Sequence, residues 1–287
     1  MSGTLTEKAL SGSLAEALRS KPSAGLRFYW LGQAGFICDI AGQRLVIDPY
    51  LSDSLARKYQ GTPRPHIRMM PPPIESSEIT QVDYVLCTHA HTDHMDPGTL
   101  PSLLHANPQA RLIAPRATRA QALERSQADD SRLIWLNAGE SVELADGLAV
   151  RATRAAHETL DRDADGNHRF LGYCLKGTDV NLWHSGDSIP FDGLVEEVSF
   201  LRPDIALLPV NGRRPELSEN GVPGNFSLDE AISTTRAIGA STLVAHHYGL
   251  FDFNTLDPEV IDSRSRSEAA PHVIRAREAI AFQWSST

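Results

Sequence analysis

The chain has 287 residues, 41% of them hydrophobic, with 36 acidic against 27 basic side chains and a formal net charge of −9. That much apolar sequence supports a sizeable core and excludes a disordered chain as the default, while the acidic balance argues against a nucleic-acid surface built on phosphate contacts. No basic start leads into a continuous apolar stretch, and Cys38, Cys87 and Cys174 stand isolated in strand-like runs, so a cytoplasmic protein with reduced core cysteines and no membrane partner is expected.

Leu10, Leu14, Ala17 and Leu18 recur at helical spacing, and residues 1–24 are read as a helical extension ahead of a single domain over 25–287. After a break at Pro22 to Gly25, residues 26–40 and 44–47 flank Ala41-Gly42-Gln43 as a β-hairpin. Residues 52–73 form a proline-studded excursion carrying Lys58, Arg64 and Arg68, either a lid or a solvated basic face. A strand follows at 82–87, then a histidine-rich loop, then Asp96-Pro97 as cap and first residue of a helix with Leu100, Leu103 and Leu104. Further strands are expected at 111–113, 133–136, 148–153, 170–176, 180–184 and 205–209, and helices at 118–125, 227–238 and 267–280. Mixed elements without a glycine-rich linker suggest one α/β unit with helices outside sheet.

The loop His89-Ala90-His91-Thr92-Asp93-His94 puts three imidazoles and a carboxylate on one short turn. A single strand or helix cannot aim four such side chains together, because those elements repeat at two and about 3.6 residues. A strand-end loop running into a helix can. Four donors on one turn cannot surround two ions, so others must come from other strand ends. Three positions fit: His157 after 148–156, Asp187 after 181–184, and His247 after 242–245. Gly186 allows a close turn at Asp187, whose carboxylate can bridge two cations.

Other chemistry-bearing residues have plainer readings. His246 and His247 are adjacent, so in extended backbone at most one reaches a given face. His184 reads as a packed or ligand-orienting histidine. Asp161-x-Asp163-x-Asp165-Gly166 imitates a calcium loop but has Gly172 where the acidic twelfth residue is required, and reads as a turn. Ser185 and Ser188 lie outside any Gly-x-Ser-x-Gly elbow. Cys87, inside an apolar strand, reads as core.

The ordered set His89-x-His91-x-Asp93-His94, His157, Asp187 and His247 resembles the metallo-β-lactamase superfamily. Within it the chain looks most like the UlaG-type branch, named for L-ascorbate-6-phosphate lactonase. The segments at 30–36, 48–52, 171–173, 184–187 and 208–213 carry that likeness. The resemblance implies an αββα sandwich and a homo-oligomer. It also implies two divalent ions, one on His89, His91 and His157, the other on Asp93, His94 and His247, with Asp187 bridging. His247, in His-Tyr-x-x-Phe, is the member of the adjacent pair it selects. Imidazole and carboxylate donors leave metal identity open; the UlaG likeness favours manganese and the wider superfamily zinc.

Such a site implies hydrolysis by a two-metal bridging hydroxide, with Asp93 both ligand and proton carrier to the leaving alkoxide. Asn211 and Arg213 are candidates for binding a small anionic substrate, since Arg holds carboxylate or phosphate bidentately; Asn225 and Tyr248 are further candidates. Arg213 pairing with Glu216 or Glu219, and Asn225 capping the helix at Ser227, are the structural alternatives. The expected activity is that of a lactonase on a (phosphorylated) sugar lactone. A phosphodiesterase on a small nucleotide-like substrate, or a non-catalytic metal-binding regulator, are the competing functions.

Overall fold

The computed structural model describes residues 3–286. Its strands in chain order are β1 (Gly3–Ala9), β2 (Arg27–Gly32), β3 (Gly35–Ile40), β4 (Gln43–Ile47), β5 (Tyr84–Leu86), β6 (Arg111–Pro115), β7 (Leu133–Leu136), β8 (Ser141–Ala145), β9 (Leu148–Arg154), β10 (Leu171–Lys176), β11 (Asn181–His184), β12 (Ile205–Pro209), β13 (Thr242–His246), β14 (His272–Arg275) and β15 (Ile280–Ser286). The α-helices are α1 (Leu14–Leu18), α2 (Ser54–Lys58), α3 (Leu100–Ala106), α4 (Arg119–Ser126), α5 (Leu194–Ser199), α6 (Pro215–Ser218), α7 (Leu228–Ala237) and α8 (Pro258–Ser267). Two compact units result, one made of residues up to Leu136 together with those from Arg277, the other of Asn137–Ala276. No unit boundary falls at residue 24. No helix among the described residues is long and apolar enough to cross a membrane.

The first unit holds one sheet in the order β1-β15-β2-β3-β4-β5-β6-β7. Strands β4 to β7 are mutually parallel, and β4, β5 and β6, inside the sheet, bury both faces, which is why their sequences read as largely apolar runs. Leu14, Leu18, Ile37, Val46, Val85, Leu103 and Leu112 belong to its core. The segment 26–40, expected as one strand, is two, because the chain reverses at Gly32 (φ 92°) and Gln33 (φ 50°). The N-terminal extension is helical only at α1, capped by Ser13 and Glu16. Its first residues form β1, where Leu5 is buried between exposed threonines, the period-two pattern of a half-covered strand. Asp96 does not cap α3. Thr99 holds the N-cap position, without a side-chain capping hydrogen bond, and the Asp96 carboxylate ties Thr99 Oγ1, Gly98 N and Ser54 Oγ into the preceding turn.

The second unit's sheet runs β14-β13-β12-β11-β10-β9-β8. The helix expected at 267–280 is absent: α8 ends at Ser267, and β14 and β15 follow. Pro271 lacks the donor an interior helical turn needs, and His272-Val273-Ile274 suits a strand. Strand direction decides where loops emerge. Strand β10 is antiparallel to both β9 and β11, while β11, β12 and β13 are parallel. The carboxyl ends of β9, β11, β12 and β13 therefore lie along one edge, where open α/β sheets place their ligands.

Candidate metal centre

In the first unit, the loop after β5 is tied back on itself: His94 N and Met95 N both donate to His91 O, at 3.1 and 2.8 Å. Arg125 of α4 clamps it from the side, donating to Ala90 O and, at 3.3 Å, to Met95 O. Ring nitrogens of His89 lie within 4.8 Å of those of His91 and of His94, and Asp93 Oδ2 is 3.8 Å from His94 Nε2. His89 and His94 are buried and His91 is exposed.

These rings are oriented by a residue not assigned a role from sequence. Asp48, at the carboxyl end of neighbouring β4, is buried and has φ 44°, a left-handed conformation that non-glycine residues adopt at a cost and that surrounding contacts must hold. Its Oδ1 accepts Thr88 N at 2.7 Å, and its Oδ2 accepts Thr88 Oγ1 at 2.6 Å and His94 Nδ1 at 2.7 Å. Thr88 has given its one hydroxyl proton to Asp48, so at 3.0 Å it accepts from His89 Nδ1. Both imidazoles therefore carry their proton on Nδ1 and their lone pair on Nε2, the tautomer of a metal-ligating histidine backed by a carboxylate. The signal in the sequence was an aspartate ending the strand beside the histidine loop.

In the second unit, His157, Asp187 and His247 leave the aligned ends of β9, β11 and β13. Asp187 Oδ2 lies 3.8 Å from His157 Nε2 and 3.2 Å from His247 Nε2. His157 Nδ1 donates to Gly224 O at 3.2 Å, again leaving the lone pair on Nε2. The adjacent Glu158 (φ 68°) accepts Gly224 N at 3.0 Å and Ser218 Oγ, fastening residues 218–224 beside His157. Burial pushes the Glu158 carboxyl up, but these hydrogen bonds outweigh it and hold the group below its ordinary value. Of the adjacent histidines, His247 (φ 62°) turns to Asp187, while His246 is fully buried with its ring 5.0 Å from that of His184. His184 accepts Gly186 N at 3.0 Å and so shapes the Asp187 turn. Buried carboxylates and imidazoles with lone pairs on Nε2, without sulfur, fit a divalent first-row cation in donor chemistry.

The four substrate candidates have structural partners. Arg213 pairs bidentately with Glu230, at 2.7 and 2.6 Å, rather than with Glu216 or Glu219. The helix at Ser227 is capped by Ser227 itself, and Asn225 instead donates to Asn211 Oδ1 at 3.1 Å, while Asn211 donates to Asn254 Oδ1 at 3.0 Å. Tyr248 is buried, its hydroxyl donating to Ala276 O and accepting from Arg275 at 3.1 Å. Arg68 is anchored to Tyr50 O and Met70 O, at 3.1 and 3.2 Å, and lies over the Tyr50 ring, so this part of the 52–73 excursion is fastened down. All three cysteines are buried and none is in a disulfide. Burial raises the Cys87 thiol well above its usual range and pushes Cys174 up to about 12, which leaves them poor nucleophiles.

Residues 43–248 match the model of the β-lactamase superfamily domain, well over half of the chain. The chain belongs to this superfamily. Superfamily relatives include a UPF0173 metal-dependent hydrolase of Caldivirga maquilingensis, 25% identical over 85% of this chain and 91% of its own. Another is the N-acyl-phosphatidylethanolamine-hydrolyzing phospholipase D 1 of Caenorhabditis elegans, 24% identical over 82% of this chain and 67% of its own. The metallo-β-lactamase fold protein YhfI of Bacillus subtilis superposes with a TM-score of 0.60 at 12% identity, covering 91% of this chain and all of that one. The superfamily's fold, of metallo-β-lactamase type and α/β class, is thus the fold of this chain.

Proposed function

We propose that the chain is a metal-dependent hydrolase whose two donor clusters serve one pair of divalent ions. In this reading His89, His91 and His157 hold one ion, Asp93, His94 and His247 hold the other, and Asp187 bridges. The observation that carries it is Asp187 Oδ2 facing the Nε2 atoms of both His157 and His247, as expected of a carboxylate shared between two imidazole-bound cations. The superfamily match, which spans every one of these residues, supports it.

When bound, such ions supply Lewis acidity and an activated water. The protein's part is to hold them in place and to move a proton. Asp48 and Thr88 fix the His89 and His94 rings before any ligand arrives. Asp93, partly open to solvent, passes a proton to the leaving alkoxide.

The substrate class proposed is a lactone or similar ester of a small molecule, in keeping with the UlaG-like segments. Arg213 contributes an anion contact only by releasing Glu230; Asn211, beyond β12 on the edge that carries Asp187 and His247, is the better placed recognition residue. Phosphodiester hydrolysis is the second reading, favoured by similarity to the nematode phospholipase D. Turnover on a panel of sugar lactones and a panel of phosphodiesters, with Mn²⁺ and Zn²⁺ supplied in turn, separates the two. Lactone turnover abolished by chelation is the expected result, and metal binding without turnover on either panel defeats the hydrolase assignment.

A further inference from the structure

We infer that Gln33 is a positioning residue for Asp93, and through it for one of the two ions; this rests on the metal reading above. Gln33 sits in the turn between β2 and β3, where residues are normally exposed, small or glycine. It is neither small nor exposed: 2% of its surface is accessible, and its φ of 50° puts a long side chain in the left-handed region.

The surroundings hold it there. The buried Trp30 indole donates to Gln33 O at 3.0 Å. The turn is also seated against the strand end that orients His94, since a Cβ on Gly35 would come within 3.1 Å of Asp48 O. From this fixed base Gln33 Nε2 donates to Asp93 Oδ2 at 2.9 Å. Only the amide nitrogen can face a carboxylate oxygen, so the sense of the bond is unambiguous. Asp93 Oδ2 also faces His94 Nε2 at 3.8 Å, and these two residues share an ion in the proposed site.

A donor aimed at a carboxylate fixes the rotation of the group, and with it the direction in which its oxygens can reach an ion. A strained, buried amide at this place is therefore the counterpart for Asp93 of what Asp48 is for His94. The signal in the sequence is faint: a glutamine in Gly32-Gln33-Ala34-Gly35, at a turn whose outline would suit asparagine or glycine.

The test is chelator-competition titration of wild-type and Gln33→Met protein with Mn²⁺ and with Zn²⁺, alongside the thermal midpoint of each metal-free protein. Gln33→Met keeps the length and removes the donor. Affinity for one ion should fall about 10- to 100-fold, the range for loss of a hydrogen bond behind a metal ligand, with the other ion and the metal-free midpoint little changed. A lower midpoint with both ions weakened alike indicates a packing role and overturns the inference. Trp30→Phe, which keeps a buried ring but frees the Gln33 carbonyl, should weaken the same ion by a smaller factor; wild-type affinity in it overturns the inference if Gln33→Met does not fold. Two ions bound as in wild type by Gln33→Met defeats the positioning role alone. A wild-type chain that binds fewer than two ions defeats the metal reading, and this inference with it.

Discussion

Four donors of the first unit occupy positions 89–94, whereas the three of the second are spread from 157 to 247. In the first, orientation is local: Asp48, Thr88 and Arg125 each touch the histidine loop directly. In the second, nothing local brings the donors to one place. Their common edge follows from β9, β11 and β13 running the same way in one sheet. A contiguous cluster of this kind depends on hydrogen-bond partners, while a dispersed one depends on strand spacing, so the two should fail under different substitutions.

Asp48→Asn is the sharpest way to break the first arrangement. One acceptor oxygen becomes a donor facing Thr88 or His94, and both rings lose their fixed tautomer. Metal affinity in chelator competition should drop about 10- to 100-fold, as for other groups that orient a ligand, with less effect on the thermal midpoint of the metal-free protein. Unchanged affinity would make Asp48 a structural aspartate.

Gly172→Ala addresses the second arrangement. A Cβ there would lie 2.6 Å from Thr153 Oγ1 and 2.9 Å from His184 O and Ser185 O, the backbone leading into Asp187. Overpacking of this sort costs about 1–3 kcal/mol, so the reverse pattern is expected: a clear fall in thermal midpoint, with metal affinity reduced only through displaced Asp187. A variant as stable as wild type would show that spacing between β10 and the end of β11 is not tight.

The smallest effect concerns the Arg213–Glu230 pair, which belongs to neither cluster and serves as a baseline. The Arg213 hydrogen bond, helped by Ser227, holds the Glu230 carboxyl below its ordinary value against the opposing effect of burial. A carboxyl with a depressed folded pKa stabilises fully above its unfolded value of 4.5 and loses that contribution as pH falls through the folded value. With both side chains about a third exposed, at 38% and 30%, the contribution is about 0.2–1 kcal/mol. Urea midpoints of wild type and Glu230→Gln should therefore differ slightly near neutral pH and converge once the pH has fallen through the depressed folded value. A gap that persists in acid would assign it to something other than the ion pair.

The histidine loop and the apolar strand before it were legible because both signals are local: a run of donors, and a parallel strand buried on both faces. Strand 205–209 was legible for the second reason, and its bounds match β12; 133–136 matches β7, an edge strand whose apolar run is only partly buried. The dispersed donors were nominated by position after strand-like runs, but which of His246 and His247 turns toward Asp187 is set by backbone torsion, invisible in spacing. Asp48 and Gln33 were missed as site residues because their partners lie 46 and 60 positions away. Arg213 looked like an anion ligand because nothing local reveals that Glu230, on α7, already holds it. The edge strands β1, β8 and β14, and β15 beside β1, were missed because exposed or short strands carry weak alternation, and the acid- and arginine-rich stretch before β14 reads as helix.

Strand β15 lies between β1 and β2, joined to β1 along its whole length, and Thr6 Oγ1 reaches Gln283 O across 277 positions of sequence. On a ribosome, which delivers the chain from the N-terminus, every strand of the second unit has emerged before Ile280–Ser286. Until then β1 has no neighbour, and the first unit's sheet stops at β2. The histidine loop thus belongs to the sheet completed last, yet its own partners Asp48, Thr88 and Arg125 have all emerged before the first donor of the second unit.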